Sequence, residues 1–459
     1  MKRVAYLLRH TYGIGSKEGQ EEETVLCIAT GHWLLPALFY SSIAAGAIFS
    51  AANPGATPRE LTSNLNLVGA KLLLCTEETK PTAKAAAEAA GLPLSRVLVL
   101  GDNGAKEDNR FTLTPLDTNT PVTIPKQELE WRRITSQPVL RDTTICILFS
   151  SGTTGVPKAC RLSHENMVSE ACLVLDPVRE YNAEHGKAKG DYRTVAHLPA
   201  AHIAGIQGYF INPAYMGGTV YWMPRFDFPL FLKYCKQYRV TTFFSVPPIF
   251  LAIAKAPFVT DQFDTVEFAI SGAAPMGREL QAAARAKLGK GKAQIGQTWG
   301  LSETTGSMTA VRRGDPNDET GSVAGLVSNG EARIVDEEGR DVDPGQEGEI
   351  WVRGPQVTRG YFGKGTEKVN REAFEDDIEL GGDRWFKTGD VAVFKNGMFY
   401  IVDRKKELIK YKGAQVAPAE LEALLVSHPK ILDAAVIGVP GEGTEVPRYV
   451  SSQTRLLFS

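Results

Sequence analysis

Ile145-Cys-Ile-Leu-Phe-Ser-Ser-Gly-Thr-Thr-Gly-Val-Pro-Lys158 is a short apolar run that feeds a loop of two glycines, four hydroxyls and one lysine. Five apolar residues closed by turn formers are too few for a helix and read as a buried strand. In the loop, glycines let backbone N–H groups approach a polyphosphate, hydroxyls add donors, and the lysine supplies one mobile positive charge. It is not the P-loop of nucleotide triphosphatases, in which Gly-Lys-Ser/Thr opens a helix. Here Pro157 precedes Lys158 and Ala159 follows it. From its chemistry alone the loop is either a phosphate cradle or a solvated turn.

Outward from this strand the pattern repeats. Lys71-Leu-Leu-Leu-Cys75 and Val97-Leu-Val-Leu100 flank an alanine-rich helical stretch, Thr82 to Ala90. Further runs follow at Val220-Tyr-Trp-Met223, Thr241-Thr-Phe-Phe-Ser245 and Phe268-Ala-Ile270. Short buried strands alternating with helices predict an α/β fold with a mostly parallel sheet flanked by helices. From about Gly321 the texture changes. Glu331-Ala-Arg-Ile-Val335 and Gly348-Glu-Ile-Trp-Val-Arg353 alternate polar with apolar residues, the mark of half-exposed antiparallel strands. Asn396-Gly397, set between Val391–Phe394 and Met398–Val402, predicts a two-residue hairpin. After Asp403-Arg404 charge density rises, and Pro418-Ala-Glu-Leu-Glu422 opens a helix. The expected organisation is a large domain over 1–404, β-rich in its last part, and a small, partial α+β domain over 405–459.

The chain has 459 residues, 43% hydrophobic and 23% charged, enough for a sizeable core. With 51 basic against 53 acidic residues its net charge is -2, which gives no reason to expect nucleic acid or an anionic membrane as partner. Six cysteines include no CxxC pair and no metal-ligand spacing, so reduced, mostly buried thiols in an intracellular compartment are expected. Trp33 to Ala52 carries no charge and approaches the length of a membrane span. Pro36, Ser41 and Ser42 interrupt it and Asn53-Pro54-Gly55 ends it as a turn, so a buried core helix is the expectation and membrane association is not.

The loop and the motifs after it resemble the adenylate-forming superfamily, which includes acyl-CoA synthetases and 4-coumarate–CoA ligases. Leu162-Ser-His-Glu-Asn166, Leu198-Pro-Ala-Ala-His202, Ser271-Gly-Ala-Ala-Pro275 and Gly296-Gln-Thr-Trp-Gly-Leu-Ser-Glu303 follow in the family's order. Gly354-Pro355 with Gly360-Tyr361, Trp385-Phe-Lys-Thr-Gly-Asp390, Asp403-Arg-Lys-Lys-Glu-Leu-Ile-Lys410 and Tyr411 to Glu422 complete it.

The resemblance implies roles residue by residue. Ser150, Ser151, Gly152, Thr153, Thr154, Gly155 and Lys158 would cradle ATP phosphates, and Glu303 would hold Mg²⁺. Gly272, Ala273 and Ala274 would form a flat shelf for adenine. Gln297, Thr298, Trp299, Gly300 and Ser302 would flank the nucleotide. Asp390 and Arg404 would meet the ribose, and His202 would stand at the substrate carboxylate. Lys406 would be a hinge, Lys410 and Gln415 would face the acyl-adenylate, and Lys412-Gly413 would lie near coenzyme A. The acyl pocket would draw on residues between His202 and Trp299, including Gln207, Phe210 and Phe244. The implied reaction joins a small carboxylic acid to AMP and then passes the acyl group to coenzyme A. A carrier-protein thiol as acceptor and a catalytically silent nucleotide-binding homologue stay open as alternatives.

Two departures from the family's pattern stand out. Lys2-Arg-Val-Ala-Tyr-Leu-Leu8 looks like the middle of the family's first helical region, so a preceding piece is expected. The match runs through Asp433–Pro440 and Glu445–Arg448 and then fails over Ser451–Ser459. The expectation is therefore a truncated chain lacking the family's C-terminal lysine, with slowed adenylation. Leu457-Phe-Ser459 is not a peroxisomal tripeptide, which leaves cytoplasm and peroxisome both open.

Overall fold

The computed structural model describes residues 1–15, 23–102, 111–131, 133–150, 158–187, 191–315, 320–363, 365–376, 384–411, 414–428, 431–441 and 444–453. Contacts group the chain into two compact units. The first holds 1–243, 301–306 and 356–370, and the second holds 244–300, 307–355 and 371–459.

The first unit is built on a seven-stranded sheet. Its strands are β1 (Thr24–Ile28), β2 (Ile48–Ala52), β3 (Leu72–Thr76), β4 (Val97–Asp102), β5 (Phe111–Pro115), β6 (Thr144–Ser150) and β7 (Lys158–Ser163), in the order β5-β4-β3-β1-β2-β6-β7. Pairs β1–β2, β1–β3, β3–β4 and β2–β6 are parallel, whereas β5 and β7 close the two edges antiparallel. Every residue of β1, β2 and β3 is buried, as a sheet covered on both faces requires. Before β1 the chain forms α1 (Lys2–His10). Helices α3 (Pro58–Leu67) and α4 (Lys80–Ala90) pack Leu61, Leu65, Ala83, Ala86 and Ala87 onto Leu26, Leu73 and Val97. The alanines bring α4 close to the sheet, and Gly91 ends it at φ 70°, where a left-handed residue closes the helix. The pleat sends Phe49 to the face opposite Ala52. There it meets Phe39 of α2 (Leu35–Ala44) and Phe210, edge-on or tilted.

The expected core helix over Trp33–Ala52 is corrected. Its first half is α2, but Ile48–Ala52 is β2, inserted between β1 and β6. Gly46 turns the chain at φ 82° between them. An uncharged apolar run has no period to separate a buried strand from a buried helix, which is why the two ran together. No helix among the described residues is long and apolar enough to cross a membrane.

In the second unit Phe268–Ser271 runs parallel to Gln294–Gln297. Beyond them lies the antiparallel sheet expected from the alternating pattern, in which Glu331–Val335 pairs with Glu347–Arg353 and the latter with Arg384–Lys395. Arg384–Lys395 also pairs with Met398–Arg404 through Asn396 (φ 54°) and Gly397 (φ 77°), the two positive-φ positions of a tight hairpin turn. Farther on come the strand pair Ile409–Tyr411 with Ala414–Val416 and the helix Pro418–Ser427.

Leu73 is fully buried in the centre of the first sheet. A Leu73→Ala variant is expected to lose about 2–5 kcal/mol of stability. The measurement is the denaturant midpoint followed by circular dichroism.

Candidate active site

Strand β6 ends at Ser150, and β7 begins opposite it at Lys158. Ser150 Oγ donates to Glu303 Oε1 at 3.1 Å, and Tyr361 Oη donates to the same oxygen at 2.9 Å. Glu303 sits in a short turn, Ser302–Thr304, and is buried. Its backbone carbonyl accepts from Thr358 N at 2.7 Å. Thr304 Oγ1 closes the turn, accepting from Leu301 N and reaching Gly306 O. Among the described residues both side-chain bonds to Glu303 fall on Oε1. The other oxygen stays suited to a hard cation whose remaining ligands are phosphate and water. Burial, followed by the charge of Glu303, pushes the Tyr361 hydroxyl far above its ordinary pKa and keeps it a donor. Lys158 Nζ lies 5.0 Å from the centroid of the Tyr361 ring. Residues 151–157, with Ser151, Gly152, Thr153, Thr154 and Gly155, lie outside the described residues.

The helix after β7, α5 (His164–Glu184), explains the Leu162–Asn166 motif. Ser163 Oγ accepts from Asn166 N at 3.2 Å, and Asn166 Oδ1 accepts from Ser163 N at 2.9 Å. Asn166 Nδ2 then donates to Val357 O at 3.0 Å, which fixes the segment carrying Tyr361. His202 is exposed and caps a short turn, its Nδ1 accepting from Ala204 N at 3.2 Å. That bond assigns the ring proton to Nε2, leaving Nε2–H as a donor. A Cβ on Gly205 would stand 2.2 Å from Pro199 O, so only glycine lets this turn close. The following π-helical turn, Ile206–Ile211, is entirely buried.

The second unit holds another group of the expected residues. Gly272 is buried, and a Cβ there would meet the Phe244 ring at 2.9 Å and Thr298 Cγ2 at 3.1 Å. Ala273 takes a φ of 69°, and it and Ala274 are exposed, a bare shelf of backbone and methyl groups. Gln297 holds that shelf from below. It accepts from Met276 N and donates to Met276 O, both at 3.0 Å, and donates to Gln281 Oε1 at 3.1 Å. Thr298 Oγ1 donates to Thr309 O, and Gly300 is exposed.

Trp299 Nε1 donates to Asp390 Oδ2 at 2.8 Å, while Arg404 Nε lies 3.2 Å from Asp390 Oδ1. Asp390 is 5% exposed, so one carboxylate oxygen meets an indole and the other a guanidinium. Asp390 and Arg404 face each other across adjacent strands beside a β-bulge. Lys406 lies in the exposed turn after Arg404. Lys410 and Gln415 are backbone partners in the next strand pair, and Lys412 and Gly413 lie outside the described residues. No group of three or more metal-ligating side chains occurs among the described residues.

A model described as AMP-binding enzyme matches residues 2–362. The chain belongs to the AMP-binding enzyme family. A provisionally named acyl-coenzyme A synthetase of Emericella nidulans is 43% identical over 453 residues, spanning 97% of this chain and 78% of that one. A 4-coumarate–CoA ligase of Oryza sativa is 35% identical over 414 residues, spanning 87% and 68%. Among solved structures, ATP-bound MatB from Rhodopseudomonas palustris superposes with a TM-score of 0.79 over all of this chain and 82% of its own, at 24% identity, a likeness of fold.

Two residues of this family member escaped the motif reading as participants. Tyr361 was quoted only as part of Gly360-Tyr361, yet its hydroxyl meets Glu303. His197, beside the His202 motif, is buried against the Phe231 ring at 4.6 Å, and Tyr209 Oη accepts from His197 N and Leu198 N. Its ring thereby packs the strand end from which Leu198–His202 departs.

Burial lowers the His197 pKa to about 4. The unfolded chain therefore takes up this proton first, so the stability contribution is complete above pH 6.5 and is lost as pH falls toward 4, by roughly 3 kcal/mol at most. Thermal melts across that window are expected to show the slope, and a His197→Phe variant is expected to flatten it. A Trp299→Phe variant removes one buried donor from Asp390 and is expected to raise the KM for ATP about tenfold.

Proposed function

We propose that this protein joins a small carboxylic acid to coenzyme A at the expense of ATP, using the residues just described. The class is that of AMP-forming acid–thiol ligases, enzymes that pass through an acyl-adenylate. In the first step a substrate carboxylate oxygen bonds to the α-phosphorus of ATP and the bond to pyrophosphate breaks. In the second a thiolate bonds to the acyl carbon and AMP leaves. The protein positions the partners and neutralises phosphate charge in both steps.

The observation that carries the reading is the Ser150–Glu303–Tyr361 arrangement. It fixes a carboxylate beside Ser150, the residue that begins the hydroxyl-rich sequence running to Lys158. Glu303 is the residue to hold Mg²⁺, which when bound would draw electron density from the phosphate oxygens. Ser150, the 151–155 segment and Lys158 would receive phosphate. Gly272 to Ala274 offer adenine a flat surface, and Asp390 with Arg404 offers acceptor and donor to ribose hydroxyls. His202 would donate its Nε2–H to an oxygen of the acyl group. Residues 405–459 would act as a small lid domain turning at Lys406, with Lys410 and Gln415 serving the adenylate and Lys412-Gly413 the thiol. Aryl and medium-chain acids are the substrates to try first. An intracellular setting, cytoplasmic or peroxisomal, suits six cysteines of which none is disulfide-bonded.

The test is acid-dependent exchange of pyrophosphate into ATP, followed by thioester formation on adding coenzyme A or, separately, an acyl carrier protein. Exchange with coenzyme A-dependent product supports the reading, and ATP binding without exchange sinks it. Glu303→Gln is expected to cut exchange by ~10²–10³, the scale for losing one group that stabilises developing charge.

A further inference from the structure

Lys255 is the last residue of α6 (Pro247–Lys255), and its side chain grips a distant stretch of backbone in the same unit. Its Nζ lies 3.1 Å from Val426 O, 3.3 Å from His428 O and 2.9 Å from Ile431 O. An ammonium has three N–H donors, and here each has a carbonyl. Val426 is in the last turn of α7 (Pro418–Ser427), where a helix leaves carbonyls without internal partners and favours a cation. At the other end of α7, Ala419 N donates to Asp403 Oδ2 at 3.1 Å. The helix is therefore held at its N-terminal end by a carboxylate and at its C-terminal end by an ammonium. Asp403 adjoins Arg404, the partner of Asp390, and the Lys410–Gln415 strand pair leads directly into α7.

We propose that Lys255 is a positioning residue for the two-step reaction, a latch that sets the orientation of α7 and, through it, of the Ile409–Tyr411 and Ala414–Val416 strand pair. The inference rests on the acid–thiol ligase reading above. In that reaction a carboxylate oxygen first bonds to the α-phosphorus and a thiolate then bonds to the acyl carbon, and the segment carrying Lys410 and Gln415 would stand beside both events. Among the described residues Lys255 Nζ meets main-chain carbonyls, so its hold depends on where the segment lies and not on which side chains it carries. The orientation seen here is favoured while the latch is closed, and the half-reaction that needs a different one requires the three bonds to open. Removing the latch therefore changes the two half-reactions unequally.

The experiment uses the full chain with Lys255→Met, which keeps the stem and loses the donors, and Lys255→Arg, which keeps the cation. Pyrophosphate exchange and thioester formation from supplied acyl-adenylate plus coenzyme A are measured separately, with amide hydrogen exchange over 418–431. Lys255→Met is expected to shift the ratio of the two rates roughly tenfold, the scale of one charge-assisted hydrogen bond, and to speed amide exchange in that segment. Lys255→Arg is expected to restore part of both. An unchanged ratio, or unchanged amide exchange, overturns the proposal. Should Lys255→Met fail to fold, Lys255→Arg carries the same comparison against the parent chain. If the parent chain performs neither half-reaction the ligase reading fails, and the amide exchange alone decides whether Lys255 holds the segment.

Discussion

One carboxylate oxygen organises the end of β6 and what packs against it. Glu303 Oε1 accepts hydrogen bonds from Ser150 and Tyr361, which stand 153 residues before it and 58 after it. Three segments thereby meet: the end of β6, the Ser302–Thr304 turn and the stretch that includes Tyr361. Their supports are equally specific. Asn166 bonds to Val357, Thr358 to the Glu303 carbonyl, and Thr305 Oγ1 to Gln356 O at 2.6 Å. Thr305 holds a φ of 58°, a costly conformation for a β-branched residue, two positions beyond Glu303. Each of these bonds is buried or partly buried, so each gains from the low local dielectric and none can be lost without leaving a polar group unsatisfied.

The second unit repeats the logic with Asp390. Its carboxylate could be a turn residue, and the Thr-Gly-Asp sequence would suit that role. Instead the strand register sets it opposite Arg404, and Trp299 reaches its second oxygen. Gly389 supports the geometry from behind, since its N–H donates to Glu349 Oε1 at 3.1 Å while Lys405 Nζ meets Oε2 of the same side chain at 2.9 Å. A carboxylate with an indole donor on one oxygen and a guanidinium beside the other is fixed in direction within its own unit.

Local pattern was enough for three strands of the parallel sheet (Leu72–Thr76, Val97–Asp102 and Thr144–Ser150), the alternating strands after Gly321 and the Asn396-Gly397 hairpin, because each depends on residues a few positions apart. It failed at Trp33–Ala52, where helix and strand share one uncharged composition and only the pairing of Ile48–Ala52 with two other strands decides. In the site, the motifs identified Glu303, Asp390 and Trp299 but not what each touches. Trp299 was expected to flank the nucleotide, and the structure adds that its indole N–H meets Asp390, 91 residues away. Gln297 was expected beside the nucleotide as well, and the structure adds that its amide bonds to Met276 and Gln281. Such pairings join residues far apart in the chain and leave no periodic trace.

The antiparallel edge formed by β6 and β7 carries a constraint on what evolution or an engineer can alter. Ser150 and Lys158 are opposite partners in that ladder, so the seven residues from 151 to 157 join two fixed points. Side chains on a strand alternate faces, so a one-residue slip of β7 against β6 would turn Lys158 away from the Tyr361 ring. The face on which Lys158 stands is thus set by strand register and not by the lysine itself: any change that keeps the Ser150–Lys158 pairing keeps the cation on its side.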